Sequence, residues 1–371
     1  MHRRGHRHGP EDRQSPLKTS QFDYYLPPEQ IAQTPIEPRD ASRLLVVHRA
    51  SGLIEHRHFR DIHAYLKPGD LLVANESRVI AARLFGHKLP TGGKVEMLLL
   101  QKRDQRTWEV LLKPGRRVRP GARIALDTPH EATLASASQE AAVVAEVIGA
   151  TEAGGRVLEF SSPIEPLLPR LGVVPLPPYI HTPLHDPERY QTVYARIQGS
   201  VAAPTAGLHF TPALIEHLQG MGVEFAFVTL HVSMDTFRPV QEVEIEDHHM
   251  YTEYCELPTN TAAAINRARA AGRRVVAVGT TTVRVLETAG LQARSREAPV
   301  TPFAGPTDLF IYPGFQFRVV EAMVTNFHLP RSTLLMLVAA FSGKELIDRT
   351  YAEAIRDVYR FYSFGDAMLI L

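Results

Sequence analysis

Residues 275–287 read VVAVGTTTVRVLE, and this stretch decides the fold that we expect for the chain. Val275–Val278 is a short apolar run, typical of a buried strand. Gly279 follows as a turn residue, and Thr280 begins a helical pattern that extends to about Ala289. A strand joined by a tight turn to a helix is the repeating unit of α/β proteins, so the stretch predicts such a sheet.

The alternation of strand and helix continues on both sides of this unit. Thr211 and Pro212 form a favourable N-cap and first-turn pair, Gly220 ends that helix, and Val223–Val232 predicts a strand. The other expected elements are strands at Leu44–His48, Leu71–Ala74 and Phe317–Val324, and helices capped by Thr259 or Asn260 (to Gly272), from Ser332 to Phe341, and from about Glu345 to Phe361. The pattern predicts an α/β layer with a partly parallel sheet.

The region between residues 79 and 160 has a different pattern. Its short β-like runs are Val95–Leu100, Trp108–Leu112, Ala142–Ile148 and Arg156–Phe160. Turn signals rich in glycine and proline separate them, as in a small antiparallel barrel or sandwich. We therefore predict a discontinuous α/β domain with an inserted small antiparallel β-barrel domain.

The predicted domain boundaries follow from these patterns. Residues 1–20 are polar, rich in His and Arg and without hydrophobic periodicity, which predicts a disordered basic tail. The α/β catalytic domain is expected at 21–76 and 168–371, and the inserted β-barrel domain at 77–167. Pro175–Pro178 contains three prolines and is expected to be a linker or rigid loop.

Composition excludes several classes of protein. The chain has 371 residues, of which 44% are hydrophobic and 22% charged, as in globular proteins. Its longest apolar run, Leu334–Phe341, falls far short of the roughly 20 residues of a membrane span. The single cysteine, Cys255, excludes an intramolecular disulfide and fits a cytoplasmic location. A net charge of +1 means that RNA contacts must come from local patches.

Common catalytic and nucleotide-binding motifs are absent from the sequence. It has no G-x-G-x-x-G after a strand, no G-x-x-x-x-G-K-[ST], no H-E-x-x-H and no G-x-S-x-G. We expect no metal site. The unusual segments are instead polar turns that lead into helices, at Val201–Phe210 (VAAPTAGLHF) and Val324–Thr333 (VTNFHLPRST). Such turns bind ligands in α/β enzymes because a helix N-terminus presents free amides to anions.

Taken together, these segments resemble the S-adenosylmethionine:tRNA ribosyltransferase-isomerase family, from Phe22 almost to the end of the chain. The resemblance rests on eleven stretches, which are Phe22–Pro27 (FDYYLP), Glu37–Val46, Pro68–Leu84, Pro175–Ile180, Tyr190–Ala195 (YQTVYA), Val201–Phe210, Thr229–Val232 (TLHV), Ala277–Glu287, Phe310–Gly314 (FIYPG), Thr325–Val338 and Tyr359–Leu369 (YRFYSFGDAML). Their occurrence in the family's order makes a chance match improbable.

The resemblance implies both fold and activity. Members have an α/β domain interrupted by a β-barrel. They use S-adenosylmethionine as a ribosyl donor and need no other cofactor. The acceptor is 7-aminomethyl-7-deazaguanine at the wobble position of tRNA with a GUN-type anticodon, and the products are epoxyqueuosine-tRNA, adenine and methionine. We also expect a monomer that does not bind membranes.

The reaction needs a general base, a general acid and partners for the donor's methionine. We expect acid or base chemistry from His209 first and His328 second, with Asp308 and Asp366 as further catalytic candidates. Expected substrate-binding residues are Thr205, Gly207, Thr280, Thr281, Arg284, Asn326, Phe327, Arg331, Ser332 and Arg360. Expected RNA-binding residues are Lys113, Arg116, Arg117, Arg119 and Arg123. The alternative for each is structural: a hydrogen-bonded histidine, a helix cap, a salt bridge or a solvated loop.

The chain departs from the family pattern in one place. Ser233 and Asp235 stand where the family usually has glycine, and Tyr251 stands where it tends to have histidine, two residues before Glu253. Two alternatives therefore stay open. One is a paralogue with a different acceptor or weak activity, and the other is a non-enzymatic RNA-binding module, which predicts a degraded α/β half.

Overall fold

The computed structural model describes residues 16–128, 143–151, 154–233, 239–293 and 298–371, with the backbone alone for Arg116. Most of the predicted tail, and Asp235, lie outside the described residues. The last residues of that tail belong to the fold, because Lys18 pairs with Glu244 and Thr19–Phe22 forms a short 3-10 helix. The folded part therefore begins before the predicted boundary.

Eighteen strands are found in the described part of the chain. They are β1 (Arg43–Val47), β2 (Ile54–His58), β3 (Leu71–Asn75), β4 (Ser77–Val79), β5 (Arg83–Leu89), β6 (Lys94–Lys102), β7 (Thr107–Lys113), β8 (Arg123–Leu126), β9 (Val144–Ala150), β10 (Arg156–Phe160), β11 (Gly172–Val173), β12 (Ile197–Ser200), β13 (Glu224–Leu230), β14 (Glu253–Leu257), β15 (Val275–Val278), β16 (Phe303–Thr307), β17 (Ala322–Asn326) and β18 (Ala367–Ile370).

The α-helices of the described residues are α1 (Leu168–Leu171), α2 (Pro212–Gly220), α3 (Thr259–Ala270), α4 (Thr280–Gln292), α5 (Thr333–Ser342) and α6 (Lys344–Arg356). None of them is long and apolar enough to cross a bilayer.

Nine strands form one mixed sheet in the order β16-β14-β13-β3-β15-β17-β18-β1-β2. The four neighbours β13, β3, β15 and β17 are parallel, so their carboxyl ends meet at one edge. Alternate residues of each strand face opposite sides. In β15, Val275 and Ala277 belong to one apolar core, and Val276 and Val278 to the other. The sheet is thus covered on both faces, which confirms the predicted α/β class.

The strands of the inserted region close into a barrel. Their order is β11-β5-β6-β7-β10-β9-β8, and an additional antiparallel pairing of β5 with β8 closes six of them. Closure removes the exposed edges that an open sheet would present. The predicted barrel is therefore confirmed, whereas the exact domain boundaries at 77 and 167 stay a prediction.

Two helix caps show how local sequence fixes the elements around the site. The Thr211 hydroxyl accepts a hydrogen bond from the Leu214 amide at 3.1 Å, as the sequence predicts. Ser332 caps α5 in the same way, with the Leu335 amide at 3.2 Å. The predicted cap at Thr259 or Asn260 is wrong, because α3 already begins at Thr259, behind Pro258.

The strand predicted at Phe317–Val324 is wrong in its first half, since β17 spans Ala322–Asn326. The reason is a buried carboxylate: Glu287 accepts hydrogen bonds from the amides of Arg318, Val319 and Val320. Amides held by a carboxylate are not available to a neighbouring strand. A contact of this kind leaves no signal in the local hydrophobic pattern.

The last predicted helix is too long. Helix α6 ends at Arg356, and Val358 adopts a positive φ of 53°, which a helix does not tolerate. The chain then turns back to form β18, which pairs with β17 and β1 in the sheet and was not predicted. The change of direction brings Tyr362 and Ser363 next to the carboxyl ends of the parallel strands.

Candidate active site

A narrow pocket lies at the carboxyl ends of β13, β15 and β17, and we call it the strand-end pocket. Its lining residues are Tyr179, Ala203–Ala206, Val232, Gly279–Thr281, Thr325–Leu329, Leu334, Tyr362 and Ser363. Its volume is about 40 Å³. The expected substrate-binding residues Thr205, Thr280, Thr281, Asn326 and Phe327 all line it, as does His328.

The floor of this pocket is the first turn of α4. Gly279 precedes the helix with a positive φ of 90°, a conformation that favours glycine. The amides of the first turn have no partners within the helix, and they carry the positive end of its dipole. Because Thr280 and Thr281 line the pocket, this end of α4 suits a negatively charged group.

Asn326 places an unused acceptor in the same pocket. Its Nδ2 donates to the Tyr362 carbonyl at 2.8 Å, which fixes the orientation of the amide. Its Oδ1 is buried and has no hydrogen-bond partner in the described part of the chain. A buried acceptor without a partner is costly, so this oxygen is suited to a donor group of a ligand.

His328 lines the pocket but is engaged in the protein's own hydrogen bonds. Its Nε2 lies 2.8 Å from the Thr325 hydroxyl, and its amide donates to the Tyr351 hydroxyl at 2.9 Å. Burial lowers the pKa of His328 to about 3. The imidazole is therefore neutral at physiological pH.

His209 ends the 3-10 helix Thr205–His209, whose first two residues line the pocket, and its ring stacks on Phe59. Its Nδ1 is 2.7 Å from the Ser42 hydroxyl, which itself donates to the Arg39 carbonyl at 3.2 Å. Ser42 therefore accepts from Nδ1–H, and this tautomer leaves a lone pair on Nε2. His209 thus presents an unprotonated nitrogen.

The Nε2 atom of His209 is buried without a hydrogen-bond partner among the described residues. Burial lowers the pKa of His209 to about 4, and the neighbouring Asn326 side chain acts in the opposite direction. Asn326 thus connects His209 to the strand-end pocket.

Arg284 was expected to bind substrate, but it does not line the strand-end pocket. Its guanidinium pairs with the Glu253 carboxylate, and both side chains are only 3% exposed. Glu253 also accepts from the Ser233 amide at 2.8 Å. The pair therefore ties α4 to the segment after β13, and Arg284 has a structural role.

Asp366 and Asp308 also lie outside the strand-end pocket. Asp366 is buried and accepts from the amides of Arg43 and Arg360, each at 2.8 Å, so it holds the turn before β18. Burial raises the pKa of this carboxyl. Asp308 is exposed after β16. The structure thus supports neither carboxylate as a catalytic group.

Three further expected residues surround the pocket without lining it. Arg331 has a positive φ of 55° and lies 3.5 Å from Asp23. Ser332 is used in capping α5. Arg360 donates to the Thr34 carbonyl.

Gly207 is explained by packing instead of ligand contact. A Cβ at this position would lie 2.1 Å from the Tyr194 hydroxyl and 2.8 Å from Thr192 Cγ2. At Gly220, the last residue of α2, a Cβ would meet nothing within 4 Å. The two glycines therefore form a matched pair for substitution.

We expect Gly207→Ala to lower the free energy of unfolding by about 1–3 kcal/mol, because a methyl group is forced into filled space. Gly220→Ala should raise it by about 0.4–1 kcal/mol through the unfolded chain. Urea denaturation of both variants measures the difference. Equal stability of the two would contradict the packing explanation.

A second, larger cavity lies between the barrel and the sheet, and we call it the barrel cleft. Its volume is about 470 Å³. Barrel residues such as Trp108 line one side, and His231, Ser233 and Tyr251–Tyr254 line the other. The described departures from the family pattern, Ser233 and Tyr251, thus share one wall. Trp108, His231 and Tyr254 were not predicted as site residues, and among them only His231 had a signal in the sequence, the TLHV motif.

The expected RNA-binding residues belong to the turn between β7 and β8. Lys113, Arg117, Arg119 and Arg123 are exposed there, on the outside of the barrel. Arg156 fastens this turn to the next hairpin through the Gly115 and Val118 carbonyls, each 3.0 Å away. The turn is therefore a basic surface with a defined backbone.

One group of described residues has the spacing of a metal site. His56, Glu353 and Asp357 bring their ligand atoms within 4.8 Å of one another. Arg356 pairs with Asp357 at 3.0 Å and His56 lies 2.9 Å from Glu353. The group is thus a network of paired side chains at β2 and the end of α6, and none of its members lines either pocket.

The chain is similar to known proteins over nearly its whole length. A family model described as "Queuosine biosynthesis protein" matches residues 19–370. The chain is 54% identical over 358 residues to S-adenosylmethionine:tRNA ribosyltransferase-isomerase of Moorella thermoacetica, covering 96% of this chain and 100% of the relative. The relative of the same name from Symbiobacterium thermophilum is 54% identical over 357 residues, with the same coverage.

A solved structure is similar as well. It is the crystal structure of S-adenosylmethionine tRNA ribosyltransferase from Thermotoga maritima, with a TM-score of 0.53 and 43% sequence identity. The match covers 95% of this chain and 100% of that chain. These similarities extend over the α/β half as well as the barrel, unlike those expected of a separate RNA-binding module.

Proposed function

The chain belongs to the S-adenosylmethionine:tRNA ribosyltransferase-isomerase family, and we propose that the strand-end pocket is where it binds the donor. It is an enzyme of queuosine biosynthesis. It transfers and isomerises the ribosyl part of S-adenosylmethionine onto 7-aminomethyl-7-deazaguanine in tRNA, which gives epoxyqueuosine-tRNA, adenine and methionine. The unpartnered Asn326 Oδ1 beside the start of α4 is the observation that carries the assignment of the pocket.

The methionine end of the donor matches the polar groups of this pocket. Its carboxylate is an anion and takes the amides of Thr280 and Thr281 and the hydroxyl of Thr280 as donors. Its ammonium is a donor and takes Asn326 Oδ1 as acceptor. The narrow shape of the pocket suits a linear chain, and Val232 lines both this pocket and the barrel cleft, so the bound donor lies next to that cleft.

We assign the general base to His209. The positive sulfonium acidifies the neighbouring ribose C5′ protons, and their removal needs a group with a free lone pair. Nε2 of His209 has this lone pair, and the lowered pKa keeps it unprotonated at neutral pH. His328 is the second candidate, because it lines the pocket although Thr325 engages its Nε2. The buried surroundings of both imidazoles exclude water from the reacting atoms.

The exposed basic turn of the barrel is proposed to hold tRNA phosphates. Lys113, Arg117, Arg119 and Arg123 supply the charge that phosphate contacts need. We further propose that the acceptor tRNAs have GUN-type anticodons and that the protein acts as a cytoplasmic monomer. The S-adenosylmethionine and tRNA substrates follow from the family itself.

The proposed function is tested by incubating the purified protein with S-adenosylmethionine and an anticodon stem-loop that carries the aminomethyl-deazaguanine. Adenine release and RNA mass are followed together. We expect equal molar amounts of adenine and of RNA with the mass of the epoxycyclopentane adduct. S-adenosylmethionine binding without either product would favour a paralogue with another acceptor.

The donor site is tested by Thr280→Val, which keeps the shape of the side chain and removes a hydroxyl that lines the pocket. We expect KM for S-adenosylmethionine to rise about tenfold with little change in kcat, because a hydrogen bond to a charged group contributes about 1.5–3 kcal/mol. Thr282→Val is the matched control, since the Thr282 hydroxyl donates to the Val278 carbonyl at the end of β15, at 2.8 Å, and Thr282 does not line the pocket. An equal rise in KM for both variants would speak against the site.

A further inference from the structure

The barrel cleft has the size and lining of a second ligand site. Its volume of about 470 Å³ lies within the range of roughly 300–1,000 Å³ usual for small-molecule sites. The strand-end pocket is too narrow to hold both the donor and a nucleobase. The family's reaction needs both at once, so the acceptor base requires a place of its own.

Aromatic side chains line this cleft on both sides. The Tyr254 ring stacks on His231, with the ring centroids 6.0 Å apart and an interplanar angle of 19°. Tyr254 is nevertheless 49% exposed and Tyr251 is 44% exposed, which is unusual for large apolar rings. Aromatic rings that stay open to a cavity are the platforms on which proteins stack unpaired bases.

Three residues that line the cleft have polar atoms without partners in the part of the chain that the structure describes. Trp108 Nε1, His231 Nδ1 and Ser233 Oγ are buried and have no hydrogen-bond partner among the described residues. Trp108 itself is only 5% exposed. The edge of a guanine-type base offers acceptors and donors to such groups, and reading that edge is how enzymes select a flipped base.

Three carboxylates line the cleft, and each of them already belongs to an ion pair. Glu253 is held by the buried Arg284, whereas Glu109 and Glu165 form partly exposed pairs with Arg103 and Lys102, which a cationic ligand can reach. No arginine is among the lining residues. The aminomethyl group of the acceptor is an amine, whose protonated form is a cation that carboxylates stabilise.

The cleft lies next to both the basic turn of the barrel and the strand-end pocket. Gly155 lines its rim, and the adjacent Arg156 holds the basic turn through the carbonyls of Gly115 and Val118. Val232 lines both the cleft and the strand-end pocket. A base in the cleft thus lies beside the donor while its phosphates reach the basic turn.

From these observations we propose that the barrel cleft is the acceptor site, which takes the flipped, cationic deazaguanine of the tRNA stacked against Tyr254. The proposal rests on the proposed function, because it assumes that the donor occupies the strand-end pocket. Ser233 and Tyr251, which depart from the family pattern, line this cleft and would therefore contact the acceptor base.

The test measures binding without turnover. The affinity of the full-length protein is compared for three anticodon stem-loops that differ only at the wobble position, which carries the aminomethyl-deazaguanine, its neutral 7-methyl counterpart or guanine. We expect the aminomethyl form to bind most tightly. Tyr254→Ala should weaken its binding about tenfold, since stacking contributes about 1–3 kcal/mol per base, while Tyr254→Phe should preserve it.

The control variant is Phe85→Ala, a barrel residue that is 40% exposed and lines neither pocket. Calorimetric affinity for S-adenosylmethionine is measured for every variant and should not change. If Tyr254→Ala weakens S-adenosylmethionine and not the stem-loop, the cleft holds the donor and the proposal is wrong. If the wild type releases no adenine in the turnover assay, the proposed function fails, whatever Tyr254 does.

Discussion

Arg284→Met should lower the free energy of unfolding by about 3–5 kcal/mol, the largest stability effect that we expect from a single substitution in this chain. The guanidinium of Arg284 is buried against Glu253, and methionine leaves that carboxylate inside the protein without its cation. Equilibrium denaturation in urea measures the loss. Most of this loss comes from burying the Glu253 carboxylate without the Arg284 cation, because a buried ion pair itself adds little net stability.

Two further variants separate these contributions. Adding Glu253→Gln to Arg284→Met removes the negative charge of the buried carboxylate, so the double variant should regain much of the lost stability. Arg106→Met removes an exposed arginine that pairs with Glu159, and it should cost less than about 1 kcal/mol. A loss below 1 kcal/mol for Arg284→Met would contradict the importance assigned to the buried pair of Arg284 and Glu253.

His209→Gln should lower kcat about 10²- to 10⁴-fold, as expected for the loss of a general base. Glutamine keeps a polar side chain of similar size but cannot accept the C5′ proton. The measurement is adenine release at saturating S-adenosylmethionine and stem-loop. His217→Gln, at an exposed position of α2, is the control and should retain the activity of the wild type.

The pH dependence of stability tests the state of His209 independently of activity. Its pKa is lowered from 6.5 to about 4 by burial, so between these values the unfolded chain binds more protons than the folded chain. The free energy of unfolding therefore rises with pH over this interval, by about 3 kcal/mol from this group. His209→Gln should remove that part of the rise. A variant with normal kcat and an unchanged pH profile would contradict both roles.

The elements that were predicted correctly are those whose structure depends on residues close together in the chain. The strand, turn and helix around Gly279 and the cap at Ser332 follow from residues three or four apart, and both were predicted. The barrel followed from the spacing of short strands. These elements already placed Thr280 and Asn326 at one edge of the sheet, so the strand-end pocket was largely predictable.

The contacts that define roles within the site connect distant residues. Ser42, which sets the tautomer of His209, is 167 residues away in the chain. Arg284 was predicted to bind substrate, but in the structure its partner is Glu253, which lies 31 residues earlier in the chain. No local pattern reports such pairs, and the barrel cleft likewise exists only because the insertion packs against the sheet.

The most direct test of the account is a crystal structure of the protein with S-adenosylmethionine. We predict that the methionine carboxylate accepts hydrogen bonds from the amides of Thr280 and Thr281 and that the ammonium lies against Asn326 Oδ1. His209 Nε2 should then lie on the side of the ribose C5′ atom. A donor whose methionine occupies the barrel cleft, with the strand-end pocket left unchanged, would contradict the account.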